Sequence, residues 1–380
     1  MNKKTPQTLV LLFGNIKYDG RVKRDLEIFS KIGNVTLIDT NTTDTSNSTI
    51  KNILNFSIKI PSFYKSIFEH FYFWYKSISF SFKTEVNIIV AEDYFTIFPA
   101  LIISKIKRAP LIYNSHELIF PEKNIKMNLR EKFWFYLEKF SIKYVDLLIV
   151  ANTERANLMK EFYNLDNMPL VVQNIPIINT LENIFDIYSK YPVLNSINST
   201  NKIILYQGVI SLNRGLGRFI EALEYLPKDY ILLLIGNITE KEKFESISKK
   251  FIEEKRILLL GKVENKDLSS LTPIADVGII TYPFKGQNNL YCASNKIYEY
   301  MQANVPVIST NQLPLKREIE SYNLGLTVSE DQTTLEIANE IKHLVENNDI
   351  YKKGIPSFLN DNSWEKESTN FYEKIKEYHV

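Results

Sequence analysis

The segment Ala293-Ser-Asn-Lys296-Ile-Tyr-Glu299 sets a cation and a carboxylate three residues apart, so on a helix both lie on one face near its N-terminus. Lys296 and the helix dipole together suit a phosphate, and Glu299 suits hydroxyl donors such as those of a ribose. Ser294 and Asn295 open the same turn. The alternative is a surface salt bridge of little consequence. Upstream, Gln207-Gly208-Val-Ile-Ser-Leu-Asn-Arg214-Gly215 follows an apolar run. Gly208 frees the backbone there, and Arg214 offers a permanent, forked positive charge suited to a diphosphate. Gly215 and Gly217 lack the third glycine of a dinucleotide fingerprint, which excludes an NAD reading. Near the middle, Asn114-Ser-His116-Glu117 places an imidazole and a carboxylate at a strand end. Both are chemically eligible as a general base, and a structural histidine is the alternative. The loop from Gly14 to Arg21, containing Asp19, leads from a strand into a helix, where its N–H groups would face an anion unless it is a plain turn.

These residues matter because of the elements that must carry them. Short apolar runs alternate with helical patterns, the rhythm of parallel strands joined by crossover helices. One series comprises Thr8 to Phe13, Val35 to Ile38, Val86 to Ala91, Pro110 to Asn114, Leu147 to Ala151 and Leu170 to Gln173. A second comprises Lys202 to Gln207, Tyr230 to Ile235, Ile257 to Leu260, Val277 to Thr281 and Val305 to Ser309. Each is enough for one doubly wound α/β sheet, in which ligands bind beyond the carboxyl ends of the strands. The turn-rich stretch between them predicts an N-terminal domain over 1–173, a linker over 174–200 and a C-terminal domain over 201–360. A last helix over about 362–378 is expected from its apolar spacing.

A chain of 380 residues with 44% hydrophobic and 24% charged residues is ordinary globular protein, long enough for two cores. Its apolar runs fall short of the roughly 18 residues that span a bilayer. The run Leu9 to Phe13 reads as a strand and not a signal peptide. Cys292 is the single cysteine, which excludes an internal disulfide and a cysteine metal cluster and fits a cytoplasmic setting. Residues 1–170 hold 23 Lys and Arg against 17 Asp and Glu, and the remainder is acidic. That basicity is too mild for a nucleic-acid-binding protein and points to an anionic membrane surface. Ten of residues 63–82 are aromatic. As a helix they place Ile67, Phe68, Phe71, Tyr72, Trp74, Tyr75 and Ile78 on one apolar face, which is either core or an interfacial surface.

Five segments carry a likeness: YDGRVKRD (18–25), YNSHEL (113–118), YQGVISLNRGL (206–216), GKVENKDLSSLTPIADVGIITYP (261–283) and SNKIYEYMQANVPVI (294–308). Through them the chain resembles, over nearly its whole length, the family 4 glycosyltransferases, nucleotide-sugar-dependent enzymes of the GT-B fold. The resemblance implies two Rossmann-like domains facing a central cleft. It implies that Arg214 and Lys296 bind the donor diphosphate, that Glu299 holds the ribose, and that Gly14 and His116 line the cleft near the transferred sugar. Gly208, Ser294 and Asn295 belong with the donor residues, and Asp19, Arg21, Asn289 and Tyr291 with the sugar or acceptor. His116 and Glu117 are the catalytic candidates. Members typically retain anomeric configuration without a metal or other cofactor. The sequence likewise lacks an Asp-x-Asp pair after a strand, so Arg214 and Lys296 take the cation role. Tyr291 stands where the family carries a second glutamate, Val209 where an arginine is common, and Arg214 where many members have lysine. The implied reaction moves a sugar, from a UDP-sugar, to a glycan or lipid-linked acceptor in bacterial surface polysaccharide synthesis. The setting is cytoplasmic, peripheral on the inner face of the plasma membrane through residues 63–82. A nucleotide-sugar 2-epimerase and an inactive partner subunit of a transferase are the rival readings.

Overall fold

The structure, a computed structural model, describes residues 5–40, 52–122, 126–177 and 187–378. The chain divides into two compact units, one formed by 1–174 together with 364–380 and the other by 175–363. Most of the expected linker therefore belongs to the second unit, and 178–186 lies outside the described residues.

In the first unit the described strands are β1 (Gln7–Leu12), β2 (Asn34–Asp39), β3 (Ile53–Ser57), β4 (Ile88–Glu92), β5 (Leu111–Asn114), β6 (Leu147–Val150) and β7 (Leu170–Val171), in the order β3-β2-β1-β4-β5-β6-β7. Every pairing is parallel. The central strands are continuous apolar runs because helices cover both faces of a parallel sheet. The helix Gly20–Ile32, capped by Asp19, which accepts from Val22 N at 3.0 Å, buries Val22, Leu26 and Phe29 against the sheet. The tail helix Trp364–Lys376 completes this core: Phe371 meets Phe29 edge-on with ring centres 5.6 Å apart.

In the second unit β8 (Lys202–Gln207), β9 (Tyr230–Ile235), β10 (Ile257–Gly261), β11 (Val277–Ile280), β12 (Val307–Thr310) and β13 (Gly325–Val328) form a parallel sheet in the order β10-β9-β8-β11-β12-β13. In both sheets the order reverses beside the first strand, between β1 and β4 and between β8 and β11. Such a reversal opens a crevice at the carboxyl ends, where ligands of this sheet type bind.

Two strands go beyond the sequence reading. β3 is an edge strand whose Leu54 and Phe56 face solvent, and β13 is only four residues long. The aromatic helix also differs. It spans Ile67–Ser81 and buries His70, Phe73, Trp74, Ser77 and Ser81, while Phe68, Phe71 and Tyr75 are exposed. The reason lies in the serines: Ser77 donates to Phe73 O at 2.8 Å and Ser81 to Ile78 O at 2.7 Å. With their hydroxyls satisfied within the helix, these small residues pack as apolar ones and let a neighbouring helix come close. His70 is a core histidine, stacked on Phe13 at 4.0 Å, with burial holding its imidazole down to about 4.

Candidate functional site

In the second unit, β8 delivers Gln207 and Gly208 to the crevice. Gly208 has φ +133, and a Cβ at Gly236, after β9, would stand 1.7 Å from the Gly208 carbonyl oxygen. Only glycine at 236 lets the two strand ends approach this closely. Across β11 the helix Asn295–Gln302 opens with Ser294 as its cap, accepting from Lys296 N at 3.3 Å. The Lys296 stem runs along Gly208, with Cε 3.5 Å from where a Cβ there would be. Its ammonium lies 3.0 Å from Glu299 Oε2. The Gln207 amide donates to that same oxygen at 2.5 Å and is itself held through Oε1, which accepts from Thr272 at 3.0 Å. Glu299 is 17% exposed, so with Oε2 held by two donors, Oε1 is the oxygen left for a ligand's hydroxyl.

Arg214 ends the short turn Leu212–Arg214, where its carbonyl accepts from Thr281 at 2.8 Å. Its guanidinium is exposed, and its charge opposes the rise that burial imposes on the Tyr206 and Tyr282 phenols, Tyr282 being pushed up to about 12. The Ser294 side chain likewise opposes the rise at Tyr282. Arg214, Ser294, Lys296 and Glu299 are thereby gathered at the ends of β8 and β11. Asn295 Oδ1 is buried and unpaired. Asn289 donates to Lys285 O at 2.6 Å, and Tyr291 follows the short helix Gln287–Leu290.

The first unit carries a different chemistry at its crevice. The Arg21 guanidinium donates to Asn114 Oδ1 at 2.6 Å, and the Asn114 amide donates to Asp25 Oδ2 at 2.8 Å. His116 Nε2 lies 2.9 Å from Glu92 Oε2, and the His116 carbonyl accepts from Arg155 at 2.6 Å. The carboxylate bonded to the imidazole is thus Glu92; Glu117 is exposed and meets Asp93 through its backbone N–H at 3.3 Å. Burial raises the acids here, Asp25 to about 7, Glu92 to about 8 and Asp93 to about 6, and holds His116 down to about 4. The Gly14 loop differs from expectation. Ile16 N–H is engaged by the Asp39 carboxylate at 3.3 Å and Lys17 N–H by Asn15 at 2.9 Å, so neither is left for an anionic ligand.

Glu92, Asp25, Gln207 and Thr272 were absent from the sequence candidates. Glu92 and Gln207 had a signal, since each is the polar residue at the end of an apolar strand. Asp25 and Thr272 lie inside segments that carry the likeness, 18–25 and 261–283, but mid-helix or in a turn and away from any strand end. Among the described residues no group of three His, Cys, Asp or Glu is placed to hold a metal ion, and no helix is long and apolar enough to cross a membrane.

No curated protein sequence matches the chain. Among solved structures it is similar to HepE from Anabaena in complex with UDP-glucose, with 17% identity, TM-score 0.71, and coverage of 98% of this chain and 99% of that one. It is similar to sucrose-phosphate synthase from Thermosynechococcus elongatus, with 14% identity, TM-score 0.77 and 98% coverage of both. It is also similar to WaaG, a glycosyltransferase involved in lipopolysaccharide biosynthesis, with 15% identity, TM-score 0.72, and 97% and 99% coverage. The two parallel-sheet units thus have the GT-B fold, and residues 190–356 match the family described as glycosyl transferases group 1.

Proposed function

We propose that the protein transfers a sugar from a UDP-sugar to a glycan or lipid-linked acceptor of bacterial surface polysaccharide, with retention of configuration and without a metal. The observation that carries the reading is Lys296 on the first turn and Glu299 on the next turn of a helix at the β8–β11 switch point, with Glu299 oriented by Gln207. Lys296 and Arg214 stabilise the diphosphate as the bond from the sugar C1 to its oxygen breaks, while Glu299 Oε1 accepts from the ribose. The acceptor hydroxyl oxygen bonds to C1, and its proton passes to a backbone or donor oxygen. His116 stabilises charge or orients the sugar. The likeness to a structure holding UDP-glucose supports the choice of base, and the permanent guanidinium supports a metal-free leaving group.

The test is release of UDP from a panel of UDP-sugars in EDTA, with the anomer of the sugar product read by NMR. Turnover of one UDP-sugar to an α product from an α donor is expected. Turnover abolished by EDTA, or an inverted product, contradicts the reading.

The acceptor side lies at a membrane on this account. Phe63, Phe68, Phe71 and Tyr75 are exposed beside Lys65 and Lys76, and the neighbouring helix Leu129–Ser141 adds exposed Leu129, Tyr136 and Phe140 beside Arg130, Lys132 and Lys139. Aromatic rings among basic residues suit the boundary of an anionic bilayer. Cosedimentation with phosphatidylglycerol vesicles is expected for the native protein and not for a Phe68→Ser, Phe71→Ser, Tyr75→Ser variant. Equal sedimentation of the two removes this part of the reading.

A further inference from the structure

Glu92 closes β4 beside the switch point, and glycosyl transfer as described gives it no role. Its side chain is 1% exposed, against 17% for His116, and its Oε2 is the atom 2.9 Å from His116 Nε2. Its other oxygen, Oε1, is buried with no hydrogen-bond partner. An ionised carboxylate so placed leaves a charged oxygen dry and unpaired, which is far costlier than leaving a neutral carbonyl oxygen unpaired. A carboxyl that keeps its proton on Oε2 avoids this by donating O–H to Nε2. Nε2 is then the ring's acceptor, and the ring's own proton sits on Nδ1.

We propose that Glu92, as a protonated carboxyl, is a positioning residue that fixes His116 in the Nδ1–H tautomer, so that His116 meets its ligand as a hydrogen-bond donor and not as a base. What it meets, an oxygen of the sugar, rests on the glycosyl-transfer reading. The surrounding charges act on both partners. Asp19, the cap of the helix Gly20–Ile32, and Asp25 within it oppose ionisation of Glu92, and the same two with Asp93 after β4 draw His116 toward its charged form. Arg21, which donates to Asn114, opposes a charged His116 and, with the Asn114 side chain, favours an ionised Glu92. Burial is the largest influence on both partners, and with Glu92 raised to about 8 and His116 held down to about 4, the shared proton resides on the carboxyl at neutral pH.

The experiment is a two-bond proton–nitrogen correlation spectrum of the full chain labelled with 15N-histidine, His116 being assigned among the four histidines by the His116→Gln difference. Near neutral pH, Nδ1 is expected protonated and Nε2 unprotonated, with the proton passing to Nε2 at a midpoint of about 8 as Glu92 ionises. Glu92→Gln, whose amide donates to Nε2 in place of the carboxyl, is expected to keep Nδ1–H through the alkaline range. Glu92→Leu is expected to show the Nε2–H form that free imidazole prefers. A wild-type protein with Nε2–H at neutral pH, or a tautomer unmoved by Glu92→Leu, overturns the proposal. UDP titrated into the same samples reads the second unit separately. Absent binding with the expected tautomers therefore counts against glycosyl transfer and not against the pairing.

Discussion

Replacing Gln207 by leucine tests how Glu299 is held. Gln207 is 2% exposed, and leucine fills nearly the same volume, so little cavity forms. What is lost is the amide donor 2.5 Å from Glu299 Oε2. Thr272 keeps its own bond to the Leu268 carbonyl at 2.7 Å, so its hydroxyl is not orphaned. A hydrogen bond to a charged group is worth about 1.5–3 kcal/mol. Part of that stabilises the unliganded fold, and the part that orients Oε1 appears in binding. An upper limit of about 3 kcal/mol corresponds to roughly 150-fold in UDP affinity, and half of it to roughly 10-fold. Calorimetric titration with UDP reads the affinity, and urea unfolding of the unliganded variant reads the remainder. A folded variant that binds UDP within about twofold of wild type, a difference under 0.5 kcal/mol, would refute the argument that Gln207 orients Glu299.

Gly236→Ala forces a Cβ to within 1.7 Å of the Gly208 carbonyl, so the β8 turn must shift; weaker UDP binding is expected, by about tenfold or more, with little change in the first unit by hydrogen exchange. Glu138→Ala leaves the Tyr113 hydroxyl, bonded at 2.5 Å, and the Tyr163 hydroxyl without their shared buried acceptor, and a loss of about 3–5 kcal/mol in urea unfolding is expected, with Glu138→Gln losing less. Stability should also fall as pH rises from about 7.5 to 8.5, where His70 and His116 are close to neutral in both states. There the folded chain retains protons on Asp25, Glu92 and Glu138, raised by burial to about 7, 8 and 7, that the unfolded chain has lost. Each costs up to about 1.4 kcal/mol per pH unit until it ionises. Glu92→Gln should flatten the last part of that decline, and a urea midpoint rising over this range contradicts the assignment.

The architecture was legible because buried parallel strands such as Ile231 to Ile235 are unbroken apolar runs, and because Gly208, Arg214 and Lys296 sit at or just beyond strand ends or a helix start. The short β13 and the edge strand β3 were not, since an edge strand is half solvated and carries no unbroken apolar run. The buried face of the aromatic helix was not legible because Ser77 and Ser81 count as polar in a sequence and pack as small residues once their hydroxyls bond the helix carbonyls. The partner of His116 was invisible for another reason. Glu117 is its neighbour in the chain, but β4 lies beside β5 in the sheet, and the register Glu92↔Asn114 brings the more distant carboxyl to the imidazole.

The central claim is that the second unit holds a nucleotide-sugar through Lys296 and Glu299 without a metal. Calorimetric titration of UDP in EDTA into the wild-type protein, Lys296→Ala and Glu299→Ala tests it most directly. The account predicts binding by the wild type and a loss of about tenfold or more in each variant. Equal affinity in all three, or wild-type binding that requires a divalent ion, would contradict it.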